Sequence, residues 1–128
     1  MPLIRIAVPR GTSSDTKQKL SAAVHTSLVS TFNVPDADKF HLFDERGPDD
    51  MAVTPEYLGI QYSAKFVVIQ ITANEGRTLE MKKALYHNIA NKIAETTDIP
   101  ASDVFIGLTE VKKENWSFGN GLAQYAPQ

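Results

Sequence analysis

The chain has 128 residues, is 42% hydrophobic and carries 13 basic against 15 acidic residues, for a formal net charge of -2. That size and apolar content build one core, so a single domain is expected, and the lack of excess positive charge argues against nucleic acid as a partner. No cysteine is present, which excludes disulfide scaffolds, thiolate catalysis and Cys-ligated metals by inventory.

The first predicted element is a strand over residues 3–8, a short β-branched run, followed by a turn at Gly11. Hydroxyls and an acid at 12–15 then open a helix, where free N–H groups and the helix dipole favour oxygen and negative charge. Its apolar stripe is Leu20, Val24 and Leu28, and Pro35 ends it. A second strand is expected over 39–43. The segment 44–64, rich in Gly, Pro and acids, reads as a connecting loop with a short strand or turn near 57–62.

The pattern then recurs. Shifting the sequence by 65 positions lays Ile4 on Ile69, Gly11 on Gly76, Leu20 on Leu85, Val24 on Ile89, Leu28 on Ile93 and Pro35 on Pro100. A second unit therefore spans about 65–111, with strands over 66–72 and 104–111 and a helix striped by Met81, Leu85, Ile89 and Ile93, against about 2–43 for the first. The predicted fold is α/β, two tandem β-α-β repeats giving a four-stranded sheet with both helices on one face. Ile4, Ile6, Val67 and Ile69 suggest more apolar surface than one helical layer hides, which points to oligomerisation through the sheet. Residues 112–128 form an arm in which Trp116 and Phe118 stand among glycines, expected as a hairpin or an irregular segment.

The N-terminus lacks a secretory pattern, and no apolar run approaches the roughly 18 residues that span a bilayer, so a soluble cytoplasmic protein without a membrane partner is expected. His25, His41 and His87 lack metal-ligand spacing, and neither a metal nor another cofactor is expected. Pro2 follows the initiator methionine as a small residue that permits its removal, which would leave a secondary amine at the chain start. An α-amino group titrates near 7.7–8.0 and falls further on burial, which makes a general base near neutral pH, or an iminium former. Alternatively, Pro2 is only a stiff start to a strand.

A duplicated β-α-β unit opening with Pro2-Leu3-Ile4 resembles the tautomerase superfamily, whose members use an amino-terminal proline in a trimer of β-α-β units. Within it the chain looks most like the malonate semialdehyde decarboxylase group, through Pro2-Leu3, Val34-Pro35-Asp36-Ala37-Asp38 and Asn115-Trp116-Ser117-Phe118-Gly119. The resemblance implies a cofactor-free homotrimeric enzyme acting on a small carboxylate substrate. It makes Pro2 the general acid or base, and Asp38 the group that tunes the proline or activates water. Arg77 becomes the cation on the substrate carboxylate, and Trp116, Phe118 and Tyr125 the pocket wall.

Each assignment has a plainer counterpart. Arg77 precedes a helix start, where N–H groups and a guanidinium fork both favour an anion, or it is a solvated surface cation. Asp103 occupies the same place after Pro100 that Asp38 occupies after Pro35, so Asp38 is either recruited or a turn residue. The three aromatics serve equally as core or interface anchors. His25 is read as a residue flanking the first helix's stripe, and His41 has no partner legible in the sequence.

One departure stands out. The decarboxylase group shows two arginines around a proline before the second helix, whereas this chain has Ala73-Asn74-Glu75-Gly76-Arg77, with one arginine and an acid, closer to the haloacrylate dehalogenase side. A missing second cation weakens carboxylate binding and charge stabilisation, so the resemblance extends to the class of mechanism rather than to the substrate. Enol–keto tautomerisation of a 2-oxo or 3-oxo acid is the simplest reaction that one base and one cation support. A decarboxylase or hydratase, and a non-catalytic trimeric binding protein, are the alternatives. The last follows if Met1 is retained, because the Pro2 nitrogen is then an amide.

Overall fold

A computed structural model of the chain describes residues 2–127. Strand β1 (Pro2–Pro9) leads into helix α1 (Ser14–Phe32) and strand β2 (His41–Arg46). A hairpin of two short strands, β3 (Glu56–Tyr57) and β4 (Ile60–Gln61), precedes β5 (Val67–Asn74), helix α2 (Leu79–Thr96) and β6 (Val104–Val111). The main sheet has the order β2-β1-β5-β6. Its outer pairs β1–β2 and β5–β6 are parallel, as a crossover helix requires, and the central pair β1–β5 is antiparallel.

The duplication is visible in the structure. β1 and β5 begin 65 residues apart, as do α1 and α2, and the strands share the alternation of buried and partly exposed positions through their first seven residues. Both helices start on a hydroxyl. Ser13 Oγ accepts from the Thr16 N–H at 3.1 Å, and Thr78 Oγ1 accepts from the Met81 N–H at 3.2 Å. Asn33, at φ 57°, closes α1 in the left-handed region that asparagine tolerates, with Pro35 just beyond.

The core lies between the sheet and the two helices. Ile4, Ile6 and Val8 of β1 and Val67, Ile69 and Ile71 of β5 meet Leu20, Val24 and Leu28 of α1 and Leu85, Ile89 and Ile93 of α2. These side chains are essentially inaccessible, and each contributes roughly 1.5–3 kcal/mol of transfer free energy.

Three expectations need correction. The residues that suggested a second apolar layer, Ile4, Ile6, Val67 and Ile69, all sit under the helices with no exposure. Period-2 alternation puts them on one face, so they leave nothing for a partner. The open face instead mixes Leu42, Val68 and Phe105 with Gln70 and the Arg5–Asp44 ion pair at 3.3 Å. Second, β2 starts at His41 rather than 39 and continues through Asp44-Glu45-Arg46, because Ala7, Val8 and Pro9 lie opposite these charged residues in the parallel ladder. An edge strand with one solvated face admits such charges. Third, the 44–64 segment is not loop at its start, where it holds the end of β2 and a 3-10 turn at Pro48–Asp50, while the β3–β4 hairpin falls where a short strand or turn was expected near 57–62.

Candidate active site

Connectivity gathers one set of termini at one end of the sheet. There the start of β1 meets the end of β5, because the two are antiparallel. The C-terminus of α1, the start of α2 and the end of β6 arrive at the same end. Pro2 is buried at the first position of β1, opposite Ala73. Met1, on which the state of the Pro2 nitrogen depends, lies outside the described residues.

Asp38 reaches this end through β2. The Ile4 N–H donates to Phe40 O at 2.9 Å, and Ile4 stands opposite His41, so the chain entering β2 runs alongside the start of β1. The Asp38 N–H donates to Pro35 O at 2.9 Å, and the Asp103 N–H donates to Pro100 O at the same distance, so both repeats build the same turn. Their carboxylates differ. Asp103 is fully buried and accepts from the Ser63 N–H at 2.7 Å and from the Ser63 hydroxyl. Asp38 is half-buried, and its carboxylate makes no hydrogen bond among the described residues.

The first turn is held instead by His25, whose Nε2–H donates to Asp36 O at 2.8 Å. A carbonyl only accepts, so the proton belongs on Nε2, which leaves Nδ1 buried without a partner. His25 is thus a buried anchor rather than a residue on the flank of the helix. Its ring meets His41 edge to face at 6.1 Å, and His41 Nδ1 pairs with Ser21 Oγ at 2.7 Å, a partner the sequence did not reveal. Burial, then the nearby Lys39 charge and His25, pull His41 down from 6.5 to about 4, so the imidazole stays neutral at physiological pH.

Arg77 lies between the two helices. Its guanidinium stands 5.0 Å over the Phe32 ring, and Nη1 donates to Asn74 O at 2.9 Å while Nη2 donates to Phe32 O at 3.4 Å. Two of its five donors therefore fix its position, one of them on a carbonyl that α1 leaves unpaired at its end. Gly76, at φ 117°, makes the bend that admits Arg77 before the Thr78 cap. Nearby, the Lys82 hydrogen bond at 2.6 Å holds the Glu110 carboxyl below its usual range, with a smaller contribution from the Gly76 N–H.

The C-terminal arm is irregular rather than a hairpin, and it closes over this end. Trp116 Nε1 donates to Asn74 Oδ1 at 2.7 Å, Trp116 stacks on Phe118 at 5.7 Å, and Phe118 meets Tyr125 edge to face at 4.8 Å. Gln124 clips the arm into a loop, accepting from the Phe118 N–H and donating to Gly119 O, both at 3.0 Å. Phe118 and Tyr125 keep open faces. Asn74 joins Trp116 to Arg77, a role that its place in Ala73-Asn74-Glu75-Gly76-Arg77 does not signal, because Trp116 lies 42 residues away in the chain. Among the described residues, clefts lined by Pro9, Arg46 and Phe66 and by Tyr57, Tyr62 and Phe105 lie at the other end of the sheet.

Among the described residues, no helix is long and apolar enough to cross a membrane, and no group of three His, Asp or Glu side chains is arranged to hold a metal ion.

Comparison with known proteins matches this arrangement to one family. A family profile described as "Tautomerase enzyme" matches residues 38–119, and a second of the same description matches residues 2–61. The "Probable tautomerase YusQ" of Bacillus subtilis (strain 168) is 37% identical over 124 residues, 97% of this chain and 98% of that protein. The crystal structure of FG41 malonate semialdehyde decarboxylase inhibited by 3-bromopropiolate superposes with a TM-score of 0.88 at 35% identity, covering 96% of this chain and 93% of that one. A symmetric trimer of a fused 4-OT shares the fold, with a TM-score of 0.78 at 23% identity over 98% and 99% of the two chains. With its duplicated β-α-β unit and its amino-terminal Pro2 strand, this chain belongs to the tautomerase family of enzymes.

Proposed function

We propose that the protein interconverts the enol and keto forms of a small 2-oxo or 3-oxo carboxylic acid, with Pro2 as the base. The observation that carries this reading is the convergence of Pro2, Asp38, Arg77 and the Trp116 arm on one end of the sheet. Once Met1 is removed, the Pro2 nitrogen is a secondary amine at a buried strand start, and burial favours its neutral, proton-accepting form. It takes the enol O–H proton and returns one to the adjacent carbon, while the carboxylate rests on the Arg77 donors left over from Asn74 and Phe32. Trp116, Phe118 and Tyr125 form one wall and exclude water. No cofactor enters this chemistry.

The remaining wall comes from a neighbouring copy in a homotrimer. Support for this is the shared fold of the fused 4-OT trimer and the open aromatic faces of Phe118 and Tyr125. The test begins with intact mass, which reports whether Met1 is gone, and proceeds to turnover of phenylenolpyruvate. Pro2→Ala and Arg77→Ala are each expected to lower kcat/KM by roughly 100-fold or more. Full activity in both variants overturns the assignment, as does a retained Met1 in an active enzyme.

A second reading, decarboxylation of a 3-oxo acid or hydration of an acetylenic 2-oxo acid, is favoured by one observation. The Asp38 carboxylate is not consumed by its own turn, in contrast to Asp103, and is left to place water or tune Pro2. Similarity to FG41 malonate semialdehyde decarboxylase points the same way. Release of carbon dioxide that is lost in Asp38→Asn supports it, and unchanged release in that variant removes the role.

A further inference from the structure

Asn74 ends β5 and immediately follows Ala73, the residue facing Pro2 across the ladder. Its carbonyl accepts from Arg77 and its side-chain Oδ1 accepts from Trp116 Nε1–H. An indole N–H is only a donor, so the amide oxygen faces Trp116 and the amide nitrogen is turned the other way. Among the described residues Nδ2 makes no hydrogen bond, and it is not among the sealed polar atoms without a partner, which are His25 Nδ1 and Ser27 Oγ. The residue as a whole is 8% exposed. A buried amide clamped through its oxygen, with donors that no described residue takes up, one residue from the Pro2 partner, is set to receive an oxygen atom.

We propose that Asn74 is a substrate-binding residue, whose Nδ2 donates to an oxygen of a small oxo acid held between Pro2 and the Trp116 arm. The inference rests on the reading of Pro2 and Arg77 given above. Nδ2 supplies a neutral, directional hydrogen bond beside the Arg77 cation, and a donor fixed in advance contributes most where charge develops on the substrate oxygen.

The decisive variant is Asn74→Asp, which keeps an acceptor for the indole N–H but replaces both donors with carboxylate oxygen. With an unchanged far-UV circular dichroism spectrum, Asn74→Asp is expected to lose roughly 100-fold in kcat/KM for phenylenolpyruvate. Trp116→Phe, which spares Nδ2, is expected to lose no more than about 10-fold. A folded Asn74→Asp within about threefold of wild type overturns the proposal. A second measurement does not depend on the variant folding. In the 15N-labelled wild-type protein, the assigned Asn74 side-chain amide signal shifts on titration with phenylpyruvate if the proposal holds, and an unmoved signal at saturation overturns it. Absence of phenylenolpyruvate turnover by wild type refutes the proposed reaction instead, and the amide titration then decides the binding role alone.

Discussion

Asp38 and Asp103 stand at equivalent places in the two repeats, and the same substitution at each is expected to have opposite consequences. Asp103→Ala removes the acceptor for the Ser63 N–H and hydroxyl, the tie between the start of β6 and the segment entering β5. Hydrogen bonds to a charged group contribute about 1.5–3 kcal/mol each. Ser63 is exposed, so water recovers part of that loss, and a net cost of about 3 kcal/mol is expected. With an m value of about 2 kcal/mol/M in urea, the unfolding midpoint falls by about 1.5 M. Asp38→Ala removes no hydrogen bond among the described residues, so its midpoint stays within about 0.3 M of wild type while turnover suffers. Both are read by tryptophan fluorescence at one fixed protein concentration, because assembly adds to apparent stability. Equal shifts in the two variants, or a shift below about 0.3 M in Asp103→Ala, refute the argument that the repeats use this aspartate differently.

Two further outcomes follow from the same geometry. Between pH 6.5 and about 4 the unfolded chain protonates His41 and the folded chain does not, so stability falls as pH drops through that window and levels off below it. At about 1.4 kcal/mol per pH unit the ceiling is about 3 kcal/mol, which solvent screening at a half-buried ring reduces to about 1–2 kcal/mol. Urea midpoints from pH 7 to 4 check this, and a His41→Gln slope as steep as wild type contradicts it. Gly76→Ala is expected to cost about 1–3 kcal/mol although its methyl group meets nothing within 4 Å, because φ 117° strains any L side chain. A thermal midpoint equal to wild type refutes that origin.

Much of the fold was legible because its determinants are local. Alternation in β1 and β5, the 3.6-residue stripes of α1 and α2, the hydroxyl caps and the paired prolines each act within a few residues, and the 65-residue repeat made each half a check on the other. The charged end of β2 was not legible, since Asp44-Glu45-Arg46 is strand only because Ala7 to Pro9 lie beside it. Nor did the sequence tell which face of the sheet remained open, because Ile4 and Ile69 read the same whether helices or another subunit cover them.

The candidate site divides along the same line. The resemblance to the tautomerase superfamily pointed to Pro2, Asp38, Arg77 and the aromatic arm as the residues that move a proton and hold an anion. Only the antiparallel meeting of β1 and β5 brought Pro2 beside the Asn74–Arg77 corner, and only the folded arm put Trp116 on Asn74, 42 residues away. The two aspartates look alike in sequence. Ser63 donates to the carboxylate of one, while a histidine on α1 holds the other's turn through its backbone and its acid has no hydrogen bond among the described residues. Which partner a side chain finds depends on contacts between distant segments, and those exist only once the sheet and helices have closed on their core.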